Sequence, residues 1–173
     1  MRDAELRFLL YLQNHVRTTG RNRFWLCVTR LGNGSFLWIV LSAVMLLLPQ
    51  TRWIAVRSFV LIAFGELVIN AVVKMLIRRK RPYDVCEELS TVQIRPKDTS
   101  FPSGHTCMGF VMTLFYAQVM PGWFAAGILV ISCMLAFSRM YLGVHYPTDI
   151  LGGIMLAVGI DWVYFLVWNA VFE

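Results

Sequence analysis

"TDILGGIMLAVGIDWVYFLVWNAV", Thr148 to Val171, decides the fold class. Beyond Asp149 it carries a single charge, Asp161, in an otherwise apolar run of 24 residues. A hydrocarbon core of about 30 Å needs about 20 apolar helical residues, so this stretch predicts a membrane-crossing helix. Four more segments approach that pattern: Ser35 to Pro49, Trp53 to Ile77, Ser103 to Met120 and Trp123 to Phe137. Pro121-Gly122 reads as a tight turn that makes a hairpin of the third and fourth segments. The expected fold is all-α: an integral membrane helical bundle of five to six transmembrane helices with an N-terminal interfacial helix. The sixth crossing exists only if the first 31 residues also span.

The whole chain agrees with that reading. Of 173 residues, 58% are hydrophobic and 15% charged, and the mean hydropathy is +0.62. A soluble domain carries nearer a quarter charged residues. The formal net charge of +6 suits an anionic membrane surface or an anionic substrate. The hydrophobicity argues against nucleic acid as a partner. No linker or repeat divides the chain, so residues 1–173 read as one unit, with N-terminal interfacial helices over 1–31 and a helical bundle over 35–171.

Met1 to Gly20 lacks the apolar centre and cleavage site of a secretory signal. Instead, Leu6, Leu9, Leu10 and Leu12 interleave with Arg7, Gln13 and Asn14, the pattern of a helix lying in the interface. A second apolar piece, "FWLCVTRL" at 24–31, ends at the breaker "GNG", Gly32 to Gly34. Cys27, Cys86, Cys107 and Cys133 have no metal-like spacing. Cys107 and Cys133 are expected in the core, Cys27 and Cys86 nearer the surface, and none in a disulfide. Several of the six tryptophans fall at expected helix ends, as an interfacial belt would have them.

Three stretches carry chemistry: "KMLIRRKRP" from Lys74, "PSGH" from Pro102 and "SRMYLGVHYPTD" from Ser138. In the five-span reading all three fall at one end of the bundle. They gather Lys74, Arg81, Arg139, His105, His145 and Asp149. Pro102 and Pro147 each suit a first helical position. The N–H groups of Ser103, Gly104 and His105 would then be unpaired in a first turn and, with the helix dipole, favour a phosphate. Gly104 permits close backbone approach. Arg81 and Arg139 are able to grip phosphate oxygens in bidentate fashion. His145 and Asp149, four apart, place a carboxylate on one imidazole nitrogen and leave the other free to attack.

These stretches fill every position of the tripartite signature of the type-two phosphatidic acid phosphatase superfamily, and the sequence resembles a member of it. The motifs are Lys-x6-Arg-Pro, Pro-Ser-Gly-His and Ser-Arg-x5-His-x3-Asp, in order from Lys74 to Asp149. The resemblance implies a metal-independent phosphatase without a cofactor. By position, His145 would be the nucleophile that forms a phosphohistidine, Asp149 its orienting carboxylate and His105 the acid that protonates the leaving group. Lys74, Arg81, Ser103, Gly104 and Arg139 would bind the phosphate. A site in the headgroup plane suits a lipid phosphate or diphosphate among the membrane lipids. The small size resembles bacterial members acting on polyprenyl diphosphates or phosphatidylglycerol phosphate, with undecaprenyl diphosphate the first choice. Phosphatidylglycerol phosphate, phosphatidic acid and lipid A phosphates stay open, as do transfer to an alcohol, haloperoxidase chemistry and a non-enzymatic lipid-binding role.

Other polar residues take plainer readings. Arg78, Arg79 and Lys80 read as a juxtamembrane cluster for lipid headgroups. Ser138 reads equally as a helix-end hydroxyl or a site residue. Glu66, Asn70 and Lys74 share a face at spacings of four, with Asn70 placed to buttress Lys74 and Glu66 mainly structural. Asp161, about 18 Å beyond Asp149 at 1.5 Å per residue, is too deep for the chemistry. The count of Lys and Arg puts the site end in the cytoplasm by the positive-inside rule. The resemblance implies the outer, periplasmic or luminal face, which is the orientation expected here, in a bacterial cytoplasmic membrane.

Overall fold

A computed structural model describes residues 2–93 and 95–172. Eight α-helices follow in order: α1 (Arg2–Tyr11), α2 (Thr19–Leu31), α3 (Phe36–Leu47), α4 (Arg52–Leu67), α5 (Lys74–Leu76), α6 (Gly104–Val119), α7 (Gly122–Tyr141) and α8 (Pro147–Phe172). No strand occurs among the described residues. A π-helical stretch, Val68–Val73, joins α4 to α5 and makes one continuous helical run from Pro49 to Leu76.

Local chemistry sets the boundaries. Thr18 accepts a hydrogen bond from the Arg21 N–H and caps α2, and Ser103 does the same for α6 from Thr106. Gly34 and Ser35, both left-handed with φ near +54° and +56°, turn the chain from α2 into α3. Pro121 closes the α6–α7 hairpin, and Pro147 opens α8 as the sequence predicts. Pro102 does not open α6: Ser103 is its N-cap and the helix begins at Gly104.

Helix α6 sits at the centre, against α7, α8 and α4. Its fully buried residues Cys107, Val111, Met112, Phe115 and Tyr116 form the middle of the main core with Leu61, Leu135 and Ala157. Among the described residues, three helical runs are long and apolar enough to cross a membrane: Pro49–Leu76, Gly122–Tyr141 and Pro147–Phe172. A fourth crossing arises if α2 and the run from Asn33 to Leu47, bent by 56°, count as one broken span. The five-to-six expectation is larger because it counts α3 and α6, which reach only 12 and 16 residues.

Two expectations change on burial. Cys133 is exposed on the outer face of α7 rather than packed in the core, while Cys107 is buried and all four cysteines are free. Trp38 and Trp168 are core residues, whereas Trp53, Trp123 and Trp162 face outward.

Candidate active site

The connection from Ile77 to Ser103 folds over one end of the bundle, where α5 ends, α6 and α8 begin and α7 finishes. A cavity of about 560 Å³ opens there. Lys74, Arg81, Arg139, Gly104, His105 and His145 line it, as the sequence predicts. Thr29, Asn33, Glu66, Asn70 and Asp98 also belong to its polar wall.

His145 lies in the turn between α7 and α8, only 3% exposed. Its Nδ1 faces Asp149 Oδ2 at 3.4 Å. Arg81 Nη1 approaches Nε2 at 3.2 Å. Arginine has only donors, so Nε2 is the lone-pair nitrogen and Nδ1 carries the proton toward Asp149. That is the tautomer a nucleophilic imidazole needs. Burial is the largest influence on His145 and lowers its pKa to about 4; Asp149 opposes this, and Arg81 and Arg139 add to it.

Asp149 is fully buried. Beyond this contact with His145, it accepts hydrogen bonds from the Ser100 hydroxyl, the Tyr146 N–H at 2.9 Å and Arg79 Nη1 at 2.6 Å. Arg79 is therefore not a free headgroup cation, as its basic neighbours suggest. Its guanidinium also donates to Thr148 Oγ1 at 2.6 Å and Glu5 Oε2 at 3.0 Å, and it stacks over Tyr146 at 4.0 Å.

The cations differ in what they hold. Lys74 and Arg81 both grip Asp98, at 2.5 Å and 2.6 Å. Burial works to raise the Asp98 pKa, but the hydrogen bonds and charges of Lys74 and Arg81 outweigh it and bring the carboxyl to about 2. Arg139, 4% exposed, has no carboxylate partner within ion-pair distance among the described residues. It donates to the Thr29 hydroxyl and to Gln93 Oε1 at 3.4 Å, and its Nε is buried without an acceptor. A buried cation whose donors are unspent calls for an anion.

Three expected residues behave differently. The Ser103 hydroxyl accepts from Thr106 Oγ1 at 2.9 Å, and its N–H donates to the Asp149 carbonyl at 3.2 Å. Ser103 thus stands behind the cavity, and the first-turn N–H groups left for an anion are those of Gly104 and His105. His105 Nε2 lies 3.0 Å from the Thr29 carbonyl and 3.1 Å from Asn33 Oδ1, so the proton on that nitrogen is held by the α2–α3 junction. Asn70 donates to Glu66 Oε2 at 2.7 Å and does not buttress Lys74. Glu66 also accepts from Ser35 at 2.5 Å, closing the cavity's deep end. The Ser138 hydroxyl donates to Leu135 within its own helix, and Asp161 accepts from Gln118 at 2.9 Å, far from the chemistry.

Asp98, Thr29, Arg79 and Glu5 are the residues that sequence reasoning misses. Asp98 lies in an irregular loop without diagnostic spacing. Arg79 is masked by the basic residues on both sides, and Glu5 is 143 positions from the threonine it binds.

A helical membrane bundle with a phosphate-sized group of buried cations around an orientable imidazole defines the class: a membrane phosphate-transfer enzyme. The family follows from comparison. The PAP2 superfamily model matches residues 54–173, and the chain belongs to that superfamily. An undecaprenyl-diphosphatase of Sulfolobus acidocaldarius is 26% identical over 91% of this chain and 74% of its own length. Phosphatidylglycerophosphatase B of Bacillus subtilis is 31% identical over 83% of this chain and 73% of its own. A crystal structure of the transmembrane PAP2-type phosphatidylglycerolphosphate phosphatase from Bacillus subtilis superposes with a TM-score of 0.74 and 24% identity, covering 99% of this chain and 89% of that one. The protein is an integral membrane lipid phosphatase of the PAP2 type.

Proposed function

We propose that this protein hydrolyses a lipid diphosphate, undecaprenyl diphosphate first among candidates, through a phosphohistidine on His145. The observation that carries the reading is the two-sided setting of His145: Asp149 at Nδ1 and Arg81 Nη1 at Nε2. In this scheme the terminal phosphate displaces Asp98 from Lys74 and Arg81 and takes the spare donors of Arg139 and the Gly104 and His105 N–H groups. Nε2 attacks phosphorus in line as the bond to the leaving oxygen breaks, and His105, protonated on Nδ1 while its Nε2–H stays on the Thr29 carbonyl, supplies that oxygen's proton. Water then attacks the phosphohistidine and releases inorganic phosphate. Positive charge fixed around the equatorial oxygens supplies most of the stabilisation.

The named relatives support a lipid phosphate, and the first of them a polyprenyl diphosphate. The test is phosphate release by detergent-purified protein in EDTA. The panel holds undecaprenyl diphosphate, phosphatidylglycerol phosphate, phosphatidic acid and a soluble sugar phosphate. We expect chelator-resistant turnover, fastest on the diphosphate, that His145→Ala lowers on the order of 10³-fold or more. Full activity in the variant removes His145 as nucleophile. A preference for a monophosphate lipid moves the assignment to that lipid, and product appearing on an added alcohol reveals a transferase.

The reading places the protein in a bacterial cytoplasmic membrane with the cavity outward. Cys86 lies in the loop at the cavity end. A membrane-impermeant maleimide applied to intact cells is expected to label it, and labelling only after lysis reverses the orientation.

A further inference from the structure

We infer that Arg79 and Glu5 are a positioning pair that holds Asp149, and through it His145, in the reactive arrangement. The inference rests on the reading of His145 as the nucleophile. It starts from the occupancy of Asp149. One carboxylate oxygen serves His145, Ser100 and the Tyr146 N–H; the other meets Arg79. Arg79 therefore decides which way the carboxylate plane turns.

Arg79 is itself fixed on four sides. One nitrogen donates to both Asp149 and Thr148, the other to Glu5, and the plane lies over the Tyr146 ring. Glu5, 8% exposed, completes the set. Its Oε1 accepts from the Thr148 N–H at 2.9 Å and hydroxyl at 2.6 Å. It thereby satisfies a first-turn donor of α8 from another helix. Glu5 is held in place by α1, whose Leu9 is fully buried against Leu89 and Tyr146. An N-terminal helix thus reaches the reacting imidazole in three contacts: Glu5 to Arg79, Arg79 to Asp149, Asp149 to His145.

A purely structural ion pair would leave the imidazole's proton affinity alone; a positioning pair would not. The charged groups that face His145 are Asp149 from α8, Arg81 from the loop and Arg139 from α7. His105 on α6, Lys74 on α5 and Asp98, held by Arg81, lie around the same cavity. Without the Arg79 charge, Asp149 beside the imidazole and Glu5 behind it lose their shared cation, which favours the protonated form of His145.

The test is a ¹³C NMR titration of histidine-labelled full-length protein in detergent. The chain has only three histidines, so replacing His15 and His105 in turn assigns the signals. In Arg79→Met we expect the His145 midpoint to move up by about one pH unit or more. Arg79→Lys, which restores the charge, should return most of the way. Arg79→Gln, which keeps a donor, reads the same question if the methionine variant does not fold. On the diphosphate substrate kcat of Arg79→Gln should fall about 10²-fold with KM within about threefold, the signature of misplacement rather than lost binding. A His145 midpoint equal to wild type in the neutral variant that folds, or in both where both fold, overturns the pair. Absence of phosphate release by the wild type would instead count against the proposed function, and the titration would still decide the pair.

Discussion

At the scale of single residues, the site is a contest between burial and charge. His145 must be neutral to attack, and burial lowers its pKa to about 4. The sign follows: the acid limb of kcat/KM, where His145 takes a proton, lies near pH 4, well below the 6.5 of a free imidazole. A pH profile on the preferred lipid measures this, and an acid limb centred near 6.5 would mean that burial does not control the group. Asp98 presents a carboxylate to the two cations that a phosphate needs. Asp98→Asn weakens both pairs, each worth up to about 1 kcal/mol when partly exposed, so inhibition by inorganic phosphate should tighten by about 3- to 10-fold. An unchanged inhibition constant would show that the loop carboxylate does not compete. Lys74, Arg81, Arg139, His105, His145 and Asp149 are all legible because chemistry fixes their spacing within short stretches. Asp98 and Arg79 are not, since a carboxylate in a loop and one arginine in a run of four basic residues carry no spacing signal.

At the scale of elements, the motifs meet only because helices approach closely at the cavity end. A Cβ added to Gly152 on α8 would lie 2.2 Å from the Phe101 ring. That glycine lets the Ser100–Ser103 stretch lie on α8, where Ser100 reaches Asp149 and the Ser103 N–H reaches its carbonyl. Gly152→Val should cost about 1–3 kcal/mol of stability by overpacking and lower kcat more than it raises KM. Thermal melts and steady-state kinetics on the same preparation check both, and a variant as active and stable as wild type would remove the close approach as a requirement. The long apolar runs of α4, α7 and α8 are visible in sequence because lipid demands about 20 apolar residues. The π-helical join before Lys74 and the start of α6 at Gly104 are not. A π-helical turn leaves no composition signal, and Ser103 outcompetes Pro102 by capping with its own side chain.

At the scale of the molecule, the N-terminal residues are part of the site's support. Leu9 is fully buried with Leu89 and Tyr146, apart from the main core. Leu9→Ala should destabilise by about 2–5 kcal/mol, and its effect should be felt at the far end of the chain, where Tyr146 adjoins His145. Hydrogen exchange at the start of α8 would register it; protection unchanged there would separate α1 from the site. Sequence reading predicts an interfacial helix for this region from its leucine spacing but has no means to dock it, because the contact between Glu5 and Thr148 is purely tertiary.

The bundle's outer surface is apolar along its length, with Leu47, Leu76, Trp123 and Met155 each at least 75% exposed, while the cavity opens at one end of it. An enzyme built this way counts its substrate in two dimensions. The quantity that sets its rate is the mole fraction of phosphorylated lipid in the surrounding leaflet, not the number of molecules per litre. Adding inert phospholipid at constant bulk substrate should therefore slow it in proportion, and a cell gains control of its flux simply by crowding or thinning the leaflet around it.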